Sequence, residues 1–231
     1  MNNYLLFSRS KYYSVVSALP LLVVYEILVI LTQSRYWSIR NAADMWIRTF
    51  LMAFELRAQH LTIVMIGIAI LLIPISKIYS PGVKLKVKFF IVMLGESFCY
   101  SIILGGLLHS ILRLGGLVVG SPGVGPLQNF ALSLGAGLFE EIVFRVILLN
   151  LLFFLLGWVF KSKVLNAVIS VLAASFLFSL SHYVGSMADS WELYSFMFRW
   201  IAGMIFTILY FIRGFAITAY THALYDIWVL V

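Results

Sequence analysis

Apolar runs of about 20 residues recur along this chain, the length a helix needs to cross roughly 30 Å of bilayer hydrocarbon. They lie near residues 13–32, 61–79, 89–112, 128–158, 164–184, 194–212 and 214–231. Inside lipid every backbone N–H and C=O must be satisfied within the protein, so each run reads as a helix and none as an open strand. Composition bears on the point once: of 231 residues, 63% are hydrophobic and 11% charged, against about 25% charged in an ordinary soluble domain. Such a chain is a poor soluble enzyme, nucleic-acid binder or disordered regulator. The expected fold is an all-α, polytopic membrane bundle of about seven transmembrane helices, with residues 1–231 forming a single domain. The stretch 41–57 differs. It mixes Asp44, Arg48, Glu55 and Arg57 with Met45, Trp46, Phe50, Leu51 and Phe54, which predicts an amphipathic helix lying in the membrane interface.

The net charge of +7, from 16 Lys and Arg against 9 Asp and Glu, reads here as a topology signal. Arg9 and Lys11 precede the first run. Lys77, Lys84, Lys86 and Lys88 share one connection, and Lys161 and Lys163 another. Seven alternating spans put all three sets on one side, which the positive-inside rule makes cytoplasmic. The loops 115–125 and 185–192 then face the other side, with Arg35 and Arg40 as a minor conflict. The first run is too long for the core of a cleaved signal peptide, so it is read as a retained anchor. Cys99 has no second cysteine for an internal disulfide or a thiolate metal site.

Ionisable side chains in hydrocarbon are costly, and each needs a reason. Glu26, Glu96, His109 and Arg199 make no short-range pattern, so they are read as interfacial groups or partners of a neighbouring helix. Six others make patterns. In Glu140-Glu141-Ile142-Val143-Phe144-Arg145 the adjacent carboxylates point about 100° apart on an α-helix. Glu141 and Arg145 share a face in the favourable order for an ion pair. Glu140 is left without a local partner, in the position of a general base. Phe178 shares a face with His182, and His222 with Asp226. Three helices thus offer carboxylates and imidazoles that could converge inside a bundle. Ser179 and Ser181 lack a nucleophile-elbow context.

Glu140-Glu141-x-x-x-Arg145, Phe178-x-x-x-His182 and His222-x-x-x-Asp226, in that order and each inside an apolar run, resemble the three signature segments of the CPBP family. This is the CAAX protease and bacteriocin-processing family, also called Abi. The resemblance covers 128–231; the first 120 residues match only as generic spans. It implies an intramembrane endopeptidase of the glutamate type, in which Glu140 and His182 activate the hydrolytic water and His222 helps stabilise the oxyanion. The last position is often Asn in prenyl-processing members. Here it is Asp226, and a carboxylate accepts hydrogen bonds unless protonated, which puts its donor role in doubt. The implied partner is a membrane-associated peptide or protein, with no nucleic acid, in a bacterial plasma membrane. Context argues against a prenylated CAAX peptide and for a bacterial-type processing or bacteriocin-related role.

No cofactor is expected. Zinc is the competing reading, because two histidines and a carboxylate make a three-ligand site with an open position. Against it, Asp226 offers His222 a nearby orienting acceptor while His182 has none as close. A proton-coupled transporter would also use intramembrane Glu, Arg and His, but no inverted repeat is evident. An immunity protein using the fold without turnover is the remaining alternative. The geometric expectation is that Glu140, His182, His222 and Asp226 line one cavity while Glu141 contacts Arg145.

Overall fold

Six helical stretches are long and apolar enough to cross a bilayer: Lys11–Thr32, Ala58–Ile78, Val87–Leu108, Pro126–Val159, Lys163–Ser181 and Leu193–Arg213. They come from a computed structural model that describes residues 3–32, 39–114, 125–185 and 188–231, without the side chains of 109 and 111–114. Arg35, nearly all of the loop 115–125, part of the loop 185–192 and the His109 side chain lie outside the described residues. Among the described residues the elements are all helical. They are α1 (Tyr4–Ser8), α2 (Lys11–Thr32), α3 (Ala42–Met52), α4 (Leu61–Ile78, after a 3-10 turn at Ala58–His60) and α5 (Val87–Leu114). Then come α6 (Pro126–Val159), α7 (Lys163–Ser181), α8 (Leu193–Arg213) and α9 (Phe215–Leu230).

Of the seven expected spans six reach this length, and the seventh stretch, α9, has 16 residues. It is the most enclosed helix of the bundle, packed against α2, α5, α6 and α8. Ala216, Ile217 and Ala219 are wholly buried. A helix covered by its neighbours need not match the bilayer by itself. Gly214, at φ 79°, lets α8 end and α9 begin on a single residue, a conformation an L side chain adopts only under strain.

The outer surface is apolar, as a lipid-facing surface must be: Ile63, Ile78, Val87, Trp158 and Val164 are exposed. The interior carries small polar groups. Ser17, Ser97, Ser133 and Ser170 are fully buried, and small residues are what let helices pack closely without a hydrophobic drive between them. The tightest approach is at Gly137 on α6. A methyl added there would lie 2.6 Å from Ala223 Cβ and 2.7 Å from Ala223 N on α9.

The segment 41–57 forms an amphipathic helix only as far as Met52, with turn following. Its charged side points inward: Asp44 and Arg48 are buried while Met45, Trp46 and Phe50 are exposed. The physical reason is that a helix docked on a membrane bundle turns its apolar face out and hides its charges, the reverse of a helix bordered by water. The hidden charges find partners. Arg40 binds Glu26 at 3.1 Å and Asp44 at 2.9 Å, and Arg48 binds Asp44 at 2.7 Å and also Glu26. Thr62 Oγ1 donates to Glu26 at 2.9 Å. The cluster ties α2, α3 and α4 together, and it accounts for Glu26 as a partner of a neighbouring helix. Glu96 likewise pairs with Arg213, and Arg199 with Asp189.

Gly137→Ala should destabilise the bundle by about 1–3 kcal/mol, the usual cost of overpacking a close contact. Thermal unfolding of the purified protein in detergent checks this. An unchanged midpoint would show that α6 and α9 can part without loss.

Candidate active site

The centre of α6, Ala136–Leu148, is π-helical, with i→i+5 backbone bonding of a kind often found at functional sites. It carries Glu140, Glu141 and Arg145. The α-helical phases assumed from sequence therefore do not hold. Glu141 still meets Arg145, Oε1 to Nη1 at 2.9 Å. This is an ion pair by distance and not a well-directed hydrogen bond, since Arg145 Nη1 and Glu141 Oε2 have no hydrogen-bond partner among the described residues. Arg145 is further held by the Gly203 carbonyl at 3.4 Å and by the Phe178 ring, 4.7 Å from its guanidinium carbon. Both Glu141 and Arg145 are essentially inaccessible.

The two glutamates were expected to occupy separate environments. They instead address opposite edges of one imidazole. Glu141 Oε1 lies 2.7 Å from His222 Nδ1, and Glu140 Oε2 lies 4.0 Å from His222 Nε2. A carboxylate at hydrogen-bond distance fixes Nδ1 as the N–H and directs Nε2 toward Glu140. Phe206 stacks on the ring at 4.5 Å, so its plane is set as well as its direction. Asp226 Oδ2 is 3.8 Å from Nε2, beyond hydrogen-bond range. The acceptor that orients His222 is thus Glu141, where the sequence pointed to Asp226.

His182 caps the C-terminus of α7, and its Nδ1 lies 3.0 Å from the Phe178 carbonyl. Because a carbonyl only accepts, Nδ1 is the N–H and Nε2 is free to accept a proton. His182 therefore has an orienting acceptor in its own helix, contrary to expectation, and the asymmetry used against zinc disappears. The Phe178 ring meets His182 edge-on at 5.1 Å and also reaches His222 at 6.5 Å.

Glu140 and His182 line one small cleft of about 60 Å3, with Ala42, Ala43 and Trp46 of α3, Phe144 of α6 and Ser181 of α7. His222 and Asp226 are not on its wall. They lie beside Glu140, with His222 Nε2 4.0 Å from Glu140 Oε2 and 3.8 Å from Asp226 Oδ2, so the four residues cluster without all lining the cleft expected of them. One contact had no signal in the motifs: Asn41 Nδ2 donates to Glu140 Oε1 at 2.8 Å. Among the described residues no group of three His, Cys, Asp or Glu is arranged to hold a metal ion.

Helices of spanning length around a buried carboxylate–imidazole cluster define an integral, multi-pass membrane protein with a polar intramembrane site. Residues 122–228 match the family model of the type II CAAX prenyl endopeptidase, Rce1-like. This match, which spans Glu140 through Asp226, supports the CPBP family of CAAX-type intramembrane proteases that the three signature segments resemble. The match is to the prenyl-endopeptidase description and not to the bacteriocin-related members favoured from sequence context. No curated protein and no solved structure gives a significant match.

Glu141→Gln should lower stability by about 3–5 kcal/mol, because it leaves Arg145 buried without its counter-charge. It also weakens the acceptor on His222 Nδ1. The thermal midpoint in detergent should fall well below that of wild type. A midpoint equal to wild type would mean that the cation–π and carbonyl contacts of Arg145 suffice.

Proposed function

We propose that this chain is an intramembrane endopeptidase that hydrolyses a peptide bond near the lipid-anchored C-terminus of a membrane-associated substrate. The observation that carries the reading is that Glu140 and His182, from separate helices within the family-matched segment, line the same cleft. Water in that cleft would lie between a carboxylate and an imidazole whose free nitrogen accepts.

The chemistry then follows from the residues. Glu140, helped by His182 Nε2, takes a proton as the water oxygen attacks the carbonyl carbon. The carbonyl π electrons move onto oxygen to give the tetrahedral oxyanion. His222, when protonated on both nitrogens, is a donor from Nε2 to that oxyanion, and Glu141 on Nδ1 stabilises its charge. Glu140 returns the proton to the leaving nitrogen, the C–N bond breaks, and a carboxylic acid and an amine are released. Asp226 stands near Nε2 without bonding it. As a carboxylate it supports the charge on His222; the oxyanion-donor role falls to the imidazole.

The test is cleavage of a quenched, farnesylated CAAX peptide by the protein in proteoliposomes. Wild type should release the C-terminal fragment, and Glu140→Gln should lose activity by at least about 100-fold, the lower range for a general base, while folding normally. An intact peptide with wild type, or full activity in Glu140→Gln, would contradict the reading. A zinc-dependent protease is the alternative carried by the two histidines. Activity should survive exhaustive chelation; loss on stripping with recovery on adding one equivalent of zinc would favour the metalloprotease.

A further inference from the structure

The network inside the N-terminal half ends at the catalytic carboxylate. Asn41 lies outside the family-matched segment 122–228 and is 8% exposed. Its side chain is used at both ends. Oδ1 accepts from Ala43 N at 2.9 Å, capping α3, and Nδ2 donates to Glu140 Oε1 at 2.8 Å. Its backbone N–H donates to Tyr25 Oη at 3.2 Å, and Tyr25 Oη donates to Asp44 Oδ2 at 2.8 Å. Asp44 is in turn gripped by Arg40 and Arg48, which Glu26 neutralises. Two cations and two anions thereby lock the residue that holds Asn41.

The backbone is shaped for this contact. At Gly135, five residues before Glu140, a methyl would lie 2.6 Å from the Tyr25 ring and 2.9 Å from Asn41 Cβ. No larger residue lets Tyr25 and Asn41 come this close to α6.

Glu140 needs such a partner. The terminal torsion of a Glu side chain is broad, so a carboxylate on a helix does not by itself present one fixed oxygen. An amide on Oε1 fixes the plane and leaves Oε2 toward His222, 4.0 Å away. Resting on the endopeptidase reading above, we propose that Asn41 is the positioning residue of Glu140, supplied by the N-terminal half of the chain, and that the Glu26–Arg40–Asp44–Arg48 cluster exists to hold its amide in place.

Two substitutions remove the donor while keeping the helix cap: Asn41→Ser and Asn41→Thr each keep a capping hydroxyl but are too short to reach Glu140. Both are assayed with the farnesylated CAAX peptide in proteoliposomes beside wild type and Glu140→Gln, with thermal midpoints measured in parallel. The expected result is a fall in kcat of about tenfold, part of the roughly 100-fold or more that a general base contributes, with KM and the midpoint close to wild type. Tyr25→Phe, which loosens Asn41 without touching Glu140, should show a smaller loss of the same kind. If both Asn41 variants keep kcat within twofold while Glu140→Gln is inactive, the inference is overturned and the endopeptidase reading stands. A loss confined to KM, or one that tracks a lower midpoint, also overturns it, since a purely structural contact would behave that way. Wild-type activity in Glu140→Gln removes the reading and the inference together.

Discussion

A charge inside a lipid-embedded bundle must find an opposite charge or a donor close by, because transfer out of water costs several kcal/mol per ion even after relaxation. This constraint organises the interior. Glu26 and Asp44 are met by Arg40 and Arg48, Glu96 by Arg213, and Glu141 by Arg145. His222 then stands among Glu140, Glu141 and Asp226. The ion pairs contribute little net stability against a hydrophobic alternative, but each is costly to break by half. They therefore fix which helices touch and in which register.

The consequence is a division of the chain. The segment from α6 to α9 carries the carboxylates and imidazoles, and Gly137 lets α6 approach α9 closely enough for Glu141 to reach His222. The N-terminal half contributes to the site from outside that cluster. Through Asn41 it reaches Glu140, and through Ala42, Ala43 and Trp46 it forms one wall of the cleft. A family-matched segment cut from its N-terminal half would keep the reactive groups and lose a wall.

What could be read from the sequence follows the same physics. Long apolar runs announce spanning helices, and the spacings Glu141 to Arg145, Phe178 to His182 and His222 to Asp226 mark three helices with polar faces. The partner of each polar group was harder to read. Helical spacing said nothing of the π-helical stretch, so the meeting of Glu140 and Glu141 on one imidazole was not visible. The burial of Asp44 and Arg48 was not visible, because an amphipathic pattern tells that two faces differ, not which one is packed inward. Asn41 read only as a polar residue before a helix, and its link to Glu140 spans 99 positions. The Phe178 carbonyl that orients His182 is backbone, which no side-chain motif can show.

The central claim is that Glu140 acts on water and does not attack the substrate itself. A single turnover in H2(18)O, with enzyme in excess over the peptide, separates the two. Direct water attack places one 18O in the new carboxyl group of the product and none in the enzyme. Glu140 recovered with 18O, beside a first product that carries none, would show a covalent acyl-glutamate and contradict the account.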